Sequence, residues 1–130
     1  MKVGRPTSYG ILALGYIARH KDKPLIPSHD IAKQYKIPME YLFKILEELA
    51  ESGILHSKRG PGGGYRFAKP LKNISMLDVI EAVEGPMKCN LKVSALARGE
   101  KFGSKAEAAC KKAVEQTKVA FKKIKMADIL

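Results

Sequence analysis

The chain has 130 residues, 45% of them hydrophobic, and 24 Lys plus Arg against 13 Asp plus Glu give it a formal charge of +11. This length holds one domain, or one domain with a helical appendage, and excludes a two-domain cofactor enzyme, while the apolar fraction excludes a disordered basic tail. No apolar run approaches the roughly 18 residues that span a bilayer, and the N-terminus lacks a signal peptide's apolar core, so a cytoplasmic protein with no membrane partner is expected.

Tyr9, Leu12, Ala13, Tyr16 and Ile17 recur at the spacing of one helical face, which predicts a first helix from about Pro6 to His20. A loop follows to Pro27. Ser28 before His29, Asp30 and Ile31 reads as an N-cap opening a short helix that ends near Tyr35. Pro38 suits the first turn of a third helix, with Leu42, Ile45, Leu46 and Leu49 on its buried face and Gly53 as its stop. Ile54 to Lys58 and Tyr65 to Ala68 read as two strands around a glycine-rich tip, a hairpin. Ser75 and Asp78 form a capping-box pattern opening a helix that Gly85 and Pro86 close. Met87 to Gly103 shows no sustained period and reads as a loop with one helical turn at most. Ser104 and Glu107 repeat the capping-box pattern, and a long last helix follows. Its stripe of Ala106, Cys110, Ala113, Thr117, Ala120 and Ile124 must bury against something, a second copy of the chain or the first helix. A boundary near Gly85 divides residues 1–85, with 13 basic and 9 acidic side chains, from residues 86–130, with 11 and 4.

Positive charge on a folded domain points to a polyanionic partner, nucleic acid before a membrane surface, because each neutralised phosphate releases counterions. Two short helices joined by a tight turn and followed by a glycine-tipped hairpin are the parts of a winged helix-turn-helix. The expected fold is therefore mainly α with a small β-hairpin wing, plus a long C-terminal dimerisation helix. The second helix of such a pair enters the major groove of double-stranded DNA by its N-terminal residues. Here those are Pro38, Met39, Glu40, Tyr41, Phe43 and Lys44. For Tyr41 and Phe43 the competing reading is core packing, which is favoured over direct readout for Tyr41. From Gly53 to Lys72 there are five basic residues and no acidic one. Lys58, Arg59 and Arg66 supply charge around Pro61, Gly62 and Gly63, whose backbone can approach the sugar-phosphate closely. A nucleotide phosphate loop would need Lys-Ser or Lys-Thr after the glycines and then a helix, and neither follows. Arg5, Ser28 and His29, near helix starts, would hold phosphates. The alternative is a winged-helix module that binds RNA or a protein partner. Three scattered histidines and no metal-ligand spacing give catalysis no support, so no enzyme and no metal site are expected.

Tyr41-Leu42 with Ile45-Leu46, Gly53-Ile54-Leu55, the run from Arg59 to Tyr65, Ile74-Ser75 through Asp78-Val79 to Val83-Glu84-Gly85, and Met126-Ala127-Asp128-Ile129 resemble the Rrf2 family of bacterial transcription regulators. The resemblance implies a homodimeric winged-helix protein that binds a palindromic operator, usually as a repressor. It also implies an iron-sulfur cluster in many members, held largely by three closely spaced cysteines. Cys89 lies at the first of those positions, but no cysteine lies between it and the long helix, and the last falls near Ser104. A cluster is therefore disfavoured and no cofactor is expected. Cys89 is left as a redox-sensitive thiol between Lys88 and Lys92, a ligand shared between subunits, or an incidental loop residue. Cys110, in the apolar stripe, reads as a small packed side chain. Pairing the two requires the loop to fold onto the helix. Family members commonly carry an acidic residue where Phe43 stands, so the operator preference of relatives does not transfer.

Overall fold

Leu14, Ile31, Leu42, Leu46, Leu49, Ile54 and Leu55 are all 2% exposed or less, and their positions decide how the first half of the chain folds. The computed structural model describes residues 2–130. Three helices, α1 (Arg5–Arg19), α2 (Ser28–Tyr35) and α3 (Met39–Glu51), turn their apolar faces onto this core. The α2–α3 turn is tight because Lys36 adopts a left-handed conformation, and its N–H and that of Ile37 both donate to the Ala32 carbonyl. Gly53 follows the last turn of α3, where the N–H groups of Gly53 and Ile54 donate to Ala50 and Leu49.

Two antiparallel strands, β1 (Leu55–Lys58) and β2 (Gly64–Phe67), form the hairpin, with Leu55 opposite Phe67 and Lys58 opposite Gly64. Ile26 joins as a third partner by exchanging two 2.9 Å hydrogen bonds with Tyr65. This pairing ties the tip half of the hairpin to the residues that lead into α2.

After a 3-10 turn (Leu71–Asn73), α4 (Met76–Glu84) opens with both hydrogen bonds of the capping box, Ser75 with Asp78. At its other end the Glu84 carboxylate reaches the start of α1. There it accepts from the Gly4 N–H at 2.8 Å, the Thr7 N–H at 3.3 Å and the Thr7 hydroxyl at 2.9 Å. An anion at a helix N-terminus satisfies donors that have no partner within the helix. Arg5 sits in this first turn with its side chain exposed.

The remaining chain forms α5 (Val93–Ala97), α6 (Lys101–Lys123) and a 3-10 turn (Met126–Asp128). Val114 and Phe121 of α6 pack on Leu77, Ile80 and Met87, so this helix lies along α4 and not along α1. Two hydrogen bonds of 2.8 Å, Met76 N–H to Ile124 and Met126 N–H to Ile74, return the chain end to the start of α4, where Met126 is fully buried in the main core. No helix among the described residues is long and apolar enough to cross a membrane.

Three local expectations are corrected. Ser28 is the first residue of α2, with Pro27 at the cap, and Pro38 precedes α3 where a first-turn position was expected. Ser104 and Glu107 form no capping box, because α6 begins three residues earlier at Lys101. Ser104 donates to the Lys101 carbonyl, and Glu107 instead reaches α5, accepting from the Ser94 hydroxyl at 2.6 Å and its N–H at 3.2 Å. That bond holds α5, in the stretch read as loop, against α6.

Candidate nucleic-acid interface

A groove of about 320 Å³ separates the hairpin from α3, with the first turn of α2 at one end. Ser28, Phe43, Glu47, Lys58, Arg59 and Gly63 line it. Its walls are set by side-chain alternation. Tyr65 on β2 turns inward and is 5% exposed, and its hydroxyl donates to Glu47 at 2.8 Å. The Arg59 guanidinium, at the hairpin tip, lies 3.7 Å from the other Glu47 oxygen and stays 86% exposed. Burial, then the hydrogen bond and charge of Glu47, push the Tyr65 phenol far above its ordinary ionisation, against a smaller opposing pull from Arg59. Tyr65 is therefore a fixed neutral donor.

The tip itself is sterically demanding. A Cβ at Gly63 would collide with the Lys58 carbonyl, and one at Gly64, whose φ is +152°, would sit 2.5 Å from the Ile26 oxygen. The glycines thus permit both the tight turn and the docking of the hairpin on the segment before α2.

The expected site residues divide accordingly. Ser28, Phe43, Lys58, Arg59 and Gly63 meet in the groove. Pro38, Met39, Glu40 and Lys44 are exposed at the leading end and outer face of α3, and His29 is exposed in the first turn of α2. Tyr41 is 39% exposed and meets the Tyr9 ring edge-on at 5.2 Å, so it bridges α3 and α1 while keeping one face open. Pro61 and Gly62 are exposed at the tip. Arg66 stands apart. It pairs with His56 across the hairpin, and because Tyr65 faces α3, its neighbour points to the opposite side. Glu47 was not anticipated as part of the site, although its place one turn after Phe43 puts the two on one face.

Cys89 and Cys110 form a disulfide, with their Cα atoms 5.9 Å apart. The loop does fold onto α6, and Cys110, expected as a packed side chain, is half-buried and covalently paired. Among the described residues no three His, Cys, Asp or Glu side chains gather as metal ligands.

The profile of the Rrf2 family, described as iron-dependent transcriptional regulators, matches residues 3–130. The chain belongs to the Rrf2 family. Similar sequences include an HTH-type transcriptional regulator of Aquifex aeolicus, 40% identical over 73 residues that make up 56% of this chain and 50% of that protein. IscR of Cereibacter sphaeroides is 30% identical over 109 residues, 82% of this chain and 70% of its own. The chain spans about half the length of several curated relatives that it matches. CymR (YrzC), the global cysteine regulator of B. subtilis, superposes with a TM-score of 0.75 at 22% identity, covering 99% of this chain and 95% of CymR, a likeness of fold. The winged helix-turn-helix with a long C-terminal helix is thus an Rrf2 fold.

Proposed function

We propose that this Rrf2 protein is a repressor that binds a palindromic operator in double-stranded DNA as a homodimer. The observation that carries the reading is the groove between α3 and the wing, with Arg59 at its lip. An exposed ion pair is worth at most about 1 kcal/mol, so Arg59 can leave Glu47 for a phosphate or the minor groove at little cost. Met39, Glu40, Phe43 and Lys44 would meet base edges in the major groove while Lys58, Arg59 and the tip backbone follow the adjacent minor groove. Arg5, Ser28 and His29 would fix phosphates, and Arg66 would contribute from the far flank of the wing.

Dimerisation is supported by the faces α5 and α6 leave open. Leu96 is 84% exposed, Phe102 57% and Val119 52%, and Gly103 is the one residue of the 23 in α6 that is buried. A long helix with so little cover suits a partner of the same sequence, and a two-fold dimer reads a two-fold operator. Residues 1–85 then act as the reading head and residues 86–130 as the dimer arm. A regulator of chromosomal DNA works in the cytoplasm.

The donor set does not fit an iron-sulfur cluster. Cluster irons take thiolate or imidazole ligands, whereas the two cysteines here are bonded to each other and His20, His29 and His56 lie apart, just after α1, on α2 and on β1. Redox response is instead assigned to the Cys89–Cys110 pair. Two-electron reduction by a dithiol, which is itself oxidised to a disulfide, converts the bond to two thiols and frees the loop from α6.

Selection of bound duplexes from a random library, then hydroxyl-radical footprinting, tests the reading. It predicts an inverted repeat with protected major and minor grooves in each half-site. Recovery of no duplex, or enrichment of RNA alone, overturns it.

A further inference from the structure

On the flank of the wing away from α3 lies a second cavity of about 320 Å³, distinct from the groove just described. Its base is hydrocarbon. Ile17 and Ile26 are 4% and 1% exposed, and Phe67 and Leu71 are half-buried beside them. Its rim is cationic: Lys21, Lys23, Arg66 and Lys69 all line it, and no Asp or Glu does. Lys23 pairs with Asp30 at 3.7 Å, whereas Lys21, Arg66 and Lys69 have no ion pair among the described residues. Like charges gathered over an apolar floor repel one another and leave that floor wet, and both costs fall when an anion with an apolar body enters. The volume is at the lower end of small-ligand sites.

We infer that this cavity is a binding site for a small organic carboxylate, an aryl or branched alkyl acid of about ten heavy atoms. The carboxylate takes charge-assisted hydrogen bonds from Lys21, Lys69 and Arg66, and the hydrocarbon body lies on Ile17, Ile26 and Phe67. The walls come from the α1–α2 connection on one side and from β2 on the other, so an occupant cross-links the root of the wing to the helical body. A bare phosphate would use the rim and leave the floor empty. The pocket itself stands without reference to DNA; only its influence on operator affinity rests on the reading above.

Isothermal titration and thermal melting of the full chain with phenylacetate, phenylacetamide and inorganic phosphate, in the absence of DNA, test the inference. Phenylacetate is expected to bind and raise the melting temperature, with phenylacetamide and phosphate about tenfold weaker or worse. The Lys21→Ala and Lys69→Ala variants, both at exposed or half-exposed positions, should weaken phenylacetate binding about tenfold and leave the unliganded melting temperature within a degree or so. Equal binding of the amide, or no binding of the acid, overturns the proposal. So does unchanged phenylacetate affinity in both variants, or a loss of affinity for random duplex in them, which would make the rim a DNA backbone contact. A protein that binds phenylacetate but no duplex would refute the operator reading and leave this site standing.

Discussion

The Tyr65 hydroxyl donates to the Glu47 carboxylate across the groove at 2.8 Å, joining the wing to α3. Glu47 serves two partners, since its second oxygen faces Arg59 at 3.7 Å. Burial and the Glu47 carboxylate push the phenol's ionisation well above its ordinary range, so the hydroxyl stays protonated and able to donate near neutral pH. The link fixes how far the wing stands from the helix beside it.

Tyr65→Phe keeps the buried ring and removes the link. The variant should lose about 1 kcal/mol of stability, the net value of one hydrogen bond. Urea denaturation measures this, and the unchanged fold should retain its helical circular dichroism. A midpoint equal to the wild type would mean that the wing is positioned without Glu47.

Phe43 and Lys44 sit on the exposed face of α3 beside the groove. Phe43→Ala and Lys44→Ala should change which duplexes are selected, each shifting discrimination at one or two base pairs by about 1–3 kcal/mol. Competition between selected and shuffled duplexes checks this. A uniform loss across all sequences would mark them as backbone contacts.

The Cys89–Cys110 bond closes a loop over a sequence separation of 21. Loops of that size gain about 3 kcal/mol from cross-linking in the chain-entropy account. Reduction with dithiothreitol should therefore lower the urea midpoint of the wild type, while Cys89→Ser should start low and show no response to the reductant. Identical midpoints for oxidised and reduced wild type would remove the bond from the stability of the fold.

Glu107 adds a pH dependence in the same region. The Ser94 hydroxyl, and after it the Ser94 N–H, hold its carboxyl below the ordinary value of 4.5. A carboxylate depressed in the folded state contributes fully above its unfolded value, and the contribution is lost as pH falls through the folded one. Hydrogen exchange of the α5 amides should therefore accelerate, beyond the intrinsic rate, only when pH drops below the normal carboxylate range. Ser94→Ala removes the larger of the two contributions and keeps the N–H, so it should shrink that acid step, and an equal step in both proteins would assign it elsewhere.

Much of this architecture is legible from local signals. The apolar spacings of α1 and α3, the Ser75–Asp78 capping box and the glycine tip each act over a few residues, and the elements stand where those signals point. Ser28 and Pro38 are misplaced by one residue at helix starts, and the larger errors come from contacts made across the chain. Glu84 caps α1 from 77 residues away, and nothing near it says so. Ser104 and Glu107 satisfy a capping pattern by spacing alone, but Ser94 claims the carboxylate once α5 folds over α6. Ile26 reads as loop because a single bridging residue has no period to detect. The different side of the wing taken by Arg66 was available in principle, since alternation from Tyr65 requires it.

The central claim is that Arg59 and the leading end of α3 hold one stretch of duplex, and the salt dependence of Arg59→Ala tests it most directly. Affinity for the selected duplex, measured from about 50 to 200 mM salt, should fall for the variant, and the slope of log K against log salt should flatten by about one unit. An Arg59→Ala protein with wild-type affinity and an unaltered slope would contradict the account.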